Sequence, residues 1–331
     1  MMNLASLASL ALRALFLSLV LAATACEARD STPTPADLPA TLLGAWQVSD
    51  VRLDRGDTNP WAYKLNVHKY LGRTFVFAPE RLTYNMPRWK GSQQVCETPK
   101  VEVHRTTALK VVSASLCSRP FQPVRPSPKD FGLPLSDSSL VKALSLICSN
   151  DKENRDALGG CQDTPHTDEI RGAWFIVLNP DEIALRWEEE LFLILKRLPQ
   201  DAKPVASFDC AKAATETEKT ICSSVSLAAF DVSVAGSYKH VLGYYDFALR
   251  TYDPSIKPQT VKQLAAFKQS QREWLKTRDK CGGDVACLEQ AMGERILGIT
   301  DEYLNYAYDN RDYDIRLWGD NFGKSYAERR W

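Results

Sequence analysis

The chain has 331 residues with 41 basic and 41 acidic side chains, so it carries no net charge. Nothing in that balance calls for nucleic acid or a generic acidic surface as a partner. The length, less an N-terminal leader, suits two domains.

Behind Arg13 the stretch Ala14 to Ala23 is apolar, too short to span a bilayer but of the length of a signal-peptide core. Ala23-Thr24-Ala25-Cys26 follows, and it fits two cleavage chemistries. One is a small-x-small signal-peptidase site. The other is a bacterial lipobox in which Cys26 is lipidated and becomes the first residue, with Ala23 where leucine is favoured. Glu27 to Pro39 is rich in Ser, Thr, Pro, Ala and charge and cannot bury a core, which is how a lipoprotein tether reads. The expectation is a signal peptide over 1–25, a tether over 26–39, and an exported periplasmic chain held to a membrane through Cys26.

Export makes disulfides the default use of cysteine. With Cys26 set aside, Cys96, Cys117, Cys148 and Cys161 form one group and Cys210, Cys222, Cys281 and Cys287 another. Both groups are even, so two bridges are expected in each domain and none across. Between the groups runs Leu198-Pro-Gln-Asp-Ala-Lys-Pro-Val205, with the composition of a linker. The boundaries that follow are a β-rich domain over 40–198, a linker over 199–206, a helical domain over 207–300 and a helical extension with a C-terminal tail over 301–331.

In the first domain Gly44 to Leu53 and Arg73 to Phe77 alternate apolar with polar residues, as half-buried strands do. Further strands are predicted over 81–84, 101–105, 109–113, 172–178, 182–187 and 191–196. Arg119 to Pro165 breaks the rhythm with Pro-rich and polar sequence and one short predicted helix, Ser138 to Cys148. About eight strands in one domain suit an up-and-down barrel. Gly44-Ala45-Trp46 resembles the Gly-x-Trp signature of the lipocalins, whose tryptophan closes one end of such a barrel. The resemblance covers that one strand.

After the linker the period changes. Leu227, Phe230, Val234, Tyr238, Leu242, Tyr245 and Leu249 draw one apolar stripe down a helix that stops near Asp253-Pro254. A second helix opens at Pro258, its stripe running through Val261, Leu264, Phe267, Gln271, Trp274, Leu275 and Arg278 to a break at Cys281-Gly282-Gly283. A third carries Leu288, Met292, Ile296 and Ile299 and continues through Tyr303 and Tyr306. The short loop between the first two predicts an antiparallel hairpin.

Ser207-Phe208-Asp209-Cys210-Ala211-Lys212-Ala213, Glu218 to Cys222, Leu227 to Asp231 and Gln271 to Arg278, with Cys281 and Cys287, closely resemble the LprI-type lysozyme-inhibitor domain, in order, from Ser207 to about Leu297. Asp209, Glu218, Asp231, Gln271, Trp274 and Arg278 belong to that motif. Phe230 stands where the family usually has leucine, and Gly236 and Gly243 loosen the first helix. The resemblance implies a small helical, disulfide-tied domain of bacterial envelope proteins and, by its name, inhibition of lysozyme. Short loops favour Cys210 with Cys222 and Cys281 with Cys287. The hairpin also brings Cys222 near Cys281, so crossed pairs stay open.

Reaction chemistry is harder to find. His68, His104, His166 and His240 lack metal-ligand spacing, and there is no nucleophile elbow, P-loop or dinucleotide fingerprint. Glu188-Glu189-Glu190 reads as a solvated acidic run, because neighbours on a strand face opposite ways. No cofactor or metal is expected, and the chain is not expected to be an enzyme. The fold class is multidomain α and β: an antiparallel β-rich domain, resembling a lipocalin barrel, followed by a disulfide-tied helical domain. The leading functional expectation is a lipoprotein that binds lysozyme or another muramidase, with Lys276 or Arg278 entering its carboxylate-lined cleft. Carriage of a small hydrophobic ligand or lipid in the barrel is the second, and a non-catalytic envelope scaffold the third.

Overall fold

The computed structural model describes residues 35–53, 67–87, 95–114, 126–149, 174–187, 191–251 and 254–309, with side chains to 302. The leader, residues 26–34 of the predicted tether with Cys26, and Cys117, Cys161, His166, Glu188 to Glu190 and the tail beyond 309 lie outside them. The last five tether residues are described and belong to the folded body: Ala36–Asp37 pair with Val101 and Lys100, and Leu38 is buried in the core, so the tether ends earlier than residue 39.

The strands are β1 (Ala36–Asp37), β2 (Gly44–Leu53), β3 (Thr74–Ala78), β4 (Arg81–Tyr84), β5 (Val95–Glu97), β6 (Lys100–Thr107), β7 (Leu140–Ile147), β8 (Trp174–Asn179), β9 (Glu182–Trp187) and β10 (Leu191–Arg197). They form one ten-stranded sheet, antiparallel at every pairing, in the order β1-β6-β7-β8-β9-β10-β2-β3-β4-β5. The sheet curls. The end strand β5 is tied back to the chain just after β7 by the Cys96–Cys148 disulfide, with Cα atoms 5.0 Å apart, and by the Ser149 amide donating to the Glu97 carbonyl at 2.9 Å. No ladder joins the two ends of the sheet among the described residues.

Alternation puts Trp46, Val48, Phe75, Phe77, Phe175, Leu185, Trp187, Leu193 and Leu195 in one continuous interior cluster. The period breaks once in β2. Ser49 is an extra residue opposite β10, a bulge whose hydroxyl donates to the Ile194 carbonyl at 3.1 Å, and it lets Val51 and Leu53 rejoin the inner face.

The outer face of β7 to β10 is also buried, which the sequence reading did not anticipate. Val141, Ala143, Trp174, Ile176, Phe192 and Ile194 pack under Phe131 and Leu133 of the 126–135 loop and under a helix, α1 (Ala108–Ala114). The strand predicted over 109–113 is therefore a helix. Ala108, Val111 and Val112 fall at helical spacing on one face, and tertiary burial overrides the β preference of the two valines. The helix predicted over Ser138 to Cys148 is strand β7. Burial on both faces replaces its alternation with a nearly continuous apolar run that periodicity cannot tell from a helix.

The second half contains α2 (Glu216–Ser223), α3 (Val225–Thr251), α4 (Lys257–Arg278) and α5 (Val285–Asp309). At Ser224 the axis turns by 112° between α2 and α3. Its hydroxyl accepts from the Leu227 amide and starts the new helix. Ile221, Leu227, Phe230, Val234, Tyr245, Phe267, Leu288, Met292, Ile296 and Ile299 form the helical core. The expected stripe on α4 is only partly buried. Phe267 is inside, stacked on Tyr238 at 5.1 Å, whereas Val261 is 54% exposed and Leu275 36%. No single described helix is long and apolar enough to cross a membrane.

Candidate functional site

The motif residues of the helical half converge on fastening contacts. Asp209 caps a 3-10 turn by accepting from the Ala211 amide at 3.0 Å. Thr215 and Glu218 form a reciprocal capping box at the start of α2. The Thr215 and Ala214 amides that donate to the Glu218 carboxylate hold it below the usual carboxylate range. Asp231, buried on α3, accepts from the Ser207 amide at 2.7 Å and so anchors the incoming chain. Gln271 accepts from Arg295 Nε at 2.8 Å, and Trp274 Nε1 donates to the Ala291 carbonyl at 3.2 Å, so both tie α4 to α5.

Arg278 does not protrude. It is 8% exposed, lies 5.5 Å over the Trp274 ring, donates to Asp279 Oδ1 at 2.7 Å and faces Asp231 Oδ1 at 3.9 Å. Its charge is spent inside the module, so it cannot serve as a side chain offered to a partner's cleft. Lys276, two residues earlier, is exposed.

Cys210 pairs with Cys222 and Cys281 with Cys287, the short-loop pairing, with Cα separations of 5.8 and 5.6 Å. The hairpin does bring the start of α2 beside the end of α4. Thr217 donates to the Asp279 and Gly282 carbonyls, and Glu216 sits against Gly282 and Gly283.

Sequence reasoning missed the junction between the sheet and the helices. Arg73, which leads into β3, is wholly buried with its guanidinium 3.7 Å over the Phe230 ring. Nη2 donates to Ser233 Oγ at 3.0 Å and Nε to the Leu71 carbonyl at 3.3 Å; Nη1 has no hydrogen-bond partner among the described residues. Desolvation pulls its pKa down to about 9, partly offset by the Glu289 carboxylate. Two glycines permit the close approach. Gly72, at φ +74°, would place a Cβ 2.8 Å from Ala229 Cβ. A Cβ on Gly236 would fall 2.5 Å from the His68 ring. The same burial lowers the His68 pKa.

A hydrogen-bond relay runs beside this junction. The Thr74 amide donates to Asn85 Oδ1 at 2.6 Å, Asn85 Nδ2 to Ser226 Oγ at 2.7 Å, and Ser226 Oγ to Glu289 Oε1 at 2.8 Å. It flanks a cleft of about 200 Å³ between β4, β5 and α5. Tyr84, Met86, Val95 and Phe230 give the cleft apolar walls, Asn85, Glu289 and Gln290 its polar ones, and the small residues Ala286 and Gly293 leave the space. Among the described residues no group of His, Cys, Asp or Glu side chains could hold a metal ion.

At the start of β2 Trp46 is fully buried and donates from Nε1 to the Leu42 carbonyl at 2.8 Å. Arg197, at the end of β10, lies 4.2 Å over its ring and donates to the Thr41 and Leu43 carbonyls, latching the 3-10 turn Ala40–Leu42 across that end.

No family model, curated protein or solved structure matches the chain.

Proposed function

We propose that the chain is an envelope lipoprotein that acts by binding, as an inhibitor of lysozyme or a related muramidase. The observation that carries the reading is the convergence of the motif residues. Asp209, Glu218, Asp231, Gln271, Trp274 and Arg278, which carry the resemblance to LprI-type domains, sit in one disulfide-tied helical module in which each makes a specific contact. With Arg278 inside that module, the exposed Lys276 is the cation left to meet a carboxylate-lined glycan cleft.

The sheet reads as a lipocalin-like barrel whose seam is held by Cys96–Cys148, with Trp46 and Arg197 at one end. Its interior is filled by Trp46, Phe75, Phe77, Phe175 and Trp187, which favours binding at the surface over carriage of a lipid inside. Cys26 serves as the lipid anchor; Cys26→Ala then moves the protein from membranes to the soluble fraction, and an unchanged membrane fraction would reject the anchor.

Complex formation tests the main reading. Calorimetric titration of lysozyme with the disulfide-intact chain should give a one-to-one complex that Lys276→Glu weakens by about tenfold or more, as loss of a desolvated charge pair does. No heat of binding with several lysozyme classes refutes inhibition. Equal affinity for the glutamate variant removes Lys276 from the contact.

A further inference from the structure

We propose that the cleft between β4, β5 and α5 binds one neutral sugar ring. The inference does not rest on the inhibitor reading, since it concerns a different face and needs no muramidase.

The cleft mixes apolar and polar side chains on both its sheet and its helix side. Tyr84, Met86 and Phe230 are its flat or pliable apolar residues, and Asn85, Glu289 and Gln290 its polar ones. Asn85 is bonded to Thr74 and Ser226, Glu289 Oε1 to Ser226 and Gln290 Nε2 to Glu294 at 2.7 Å, so a ligand would use the second N–H of each amide and the remaining oxygen lone pairs. A pyranose matches this mixture, with C–H faces to pack on an aromatic ring and equatorial hydroxyls that both donate and accept.

Charge narrows the choice further. Glu289 lines the cleft, its charge offsets part of the burial of the Arg73 guanidinium, and Ser226 donates to one of its oxygens. The two side chains carry opposite charges. A cationic ligand would compete with Arg73 for its counter-charge, and an anionic one would meet the carboxylate directly. A neutral hydroxyl can donate to Glu289 without disturbing the pair. Size agrees, because about 200 Å³ lies below the ~300–1,000 Å³ of drug-sized pockets and admits a single ring.

The site is preorganised. The relay from Thr74 through Asn85 and Ser226 fixes both polar walls before any ligand arrives, one on the sheet and one on α5. A ligand seated there bridges the two halves of the protein.

Ligand-observed saturation-transfer NMR on the intact chain tests this with N-acetylglucosamine and glucose as the ring probes and choline and acetate as the charged ones. At least one ring should saturate with a Kd of about 1–10 mM, the range that ligand efficiency allows for one ring. Saturation by the amino sugar alone would mark a cell-wall sugar, and saturation by both a hexose-tolerant site. Ala286→Phe fills the cleft from an exposed helical position and leaves the Arg73 pair intact; it should weaken binding at least tenfold. Glu289→Gln should weaken it several-fold. Failure of both rings to saturate by about 50 mM overturns the proposal. So does unchanged binding in Ala286→Phe, or tighter binding of choline or acetate than of either ring.

Discussion

Arg73 is a buried cation from the sheet under a helix, and its replacement tests how the two halves are joined. Burial that brings its pKa down to about 9 costs the charged form on the order of 5 kcal/mol. Against this stand two charge-assisted hydrogen bonds, at about 1.5–3 kcal/mol each, and a desolvated cation–π contact with Phe230 at about 2 kcal/mol. At the lower bounds the gains, about 5 kcal/mol together, match the cost, so the guanidinium then adds little net stability while its apolar stem fills space. Arg73→Met, which keeps the volume, should change unfolding free energy by no more than about 1 kcal/mol. Arg73→Ala should cost about 2–5 kcal/mol, because it empties a packed site. Ser233 keeps its bonds to the Leu71 and Ala229 carbonyls in both variants, so neither leaves that hydroxyl stranded. Urea titration followed by far-ultraviolet circular dichroism, which sees helix, and by tryptophan emission measures both. Methionine costing as much as alanine would refute the cancellation, and separated transitions for the two signals would refute a shared junction.

Three further outcomes follow from the same contacts. Gly236→Ala should cost about 1–3 kcal/mol by overpacking against His68, whereas Gly243→Ala, whose Cβ meets nothing within 4 Å, should be neutral or stabilise α3 by up to about 1 kcal/mol; equal effects in thermal melts would contradict the packing. Thr215→Ala removes half of the α2 capping box and should cost about 1 kcal/mol in urea titrations, with no loss meaning that the box is idle. His68 has a folded pKa below its unfolded value near 6.5, so the unfolded chain binds more protons as pH falls through that value. Stability should decline below about pH 6.5, and part of that decline should vanish in His68→Gln; identical pH profiles would exclude the histidine.

The helical half was largely legible because its signals are local. Stripes at three and four and the Pro and Gly breaks mark α3, α4 and α5 within stretches the eye can scan, and the cysteine spacing favoured the two short-loop disulfides without excluding crossed pairs. Strands β2, β3 and β10 were legible for the same reason. Residues buried on two sides were not. β7 and α1 exchange their apparent types because the outer face of the sheet is covered, and that cover comes from the distant loop carrying Phe131. The junction was hidden for another reason. Arg73, Gly72, His68 and Gly236 look like surface cations and helix breakers, and only their meeting across 160 residues between Arg73 and Ser233 gives them a purpose. Arg278 failed in the opposite sense, a motif cation that seemed available but is consumed by Asp279 and Asp231.

The measurement closest to the central claim is the initial rate of cell-wall lysis by lysozyme as the disulfide-intact chain is added. Stoichiometric inhibition predicts a rate that falls and levels off near one equivalent, with full activity restored when the chain's disulfides are reduced beforehand. A lysis rate unchanged by a large excess of the folded chain, for every lysozyme class tried, would contradict it.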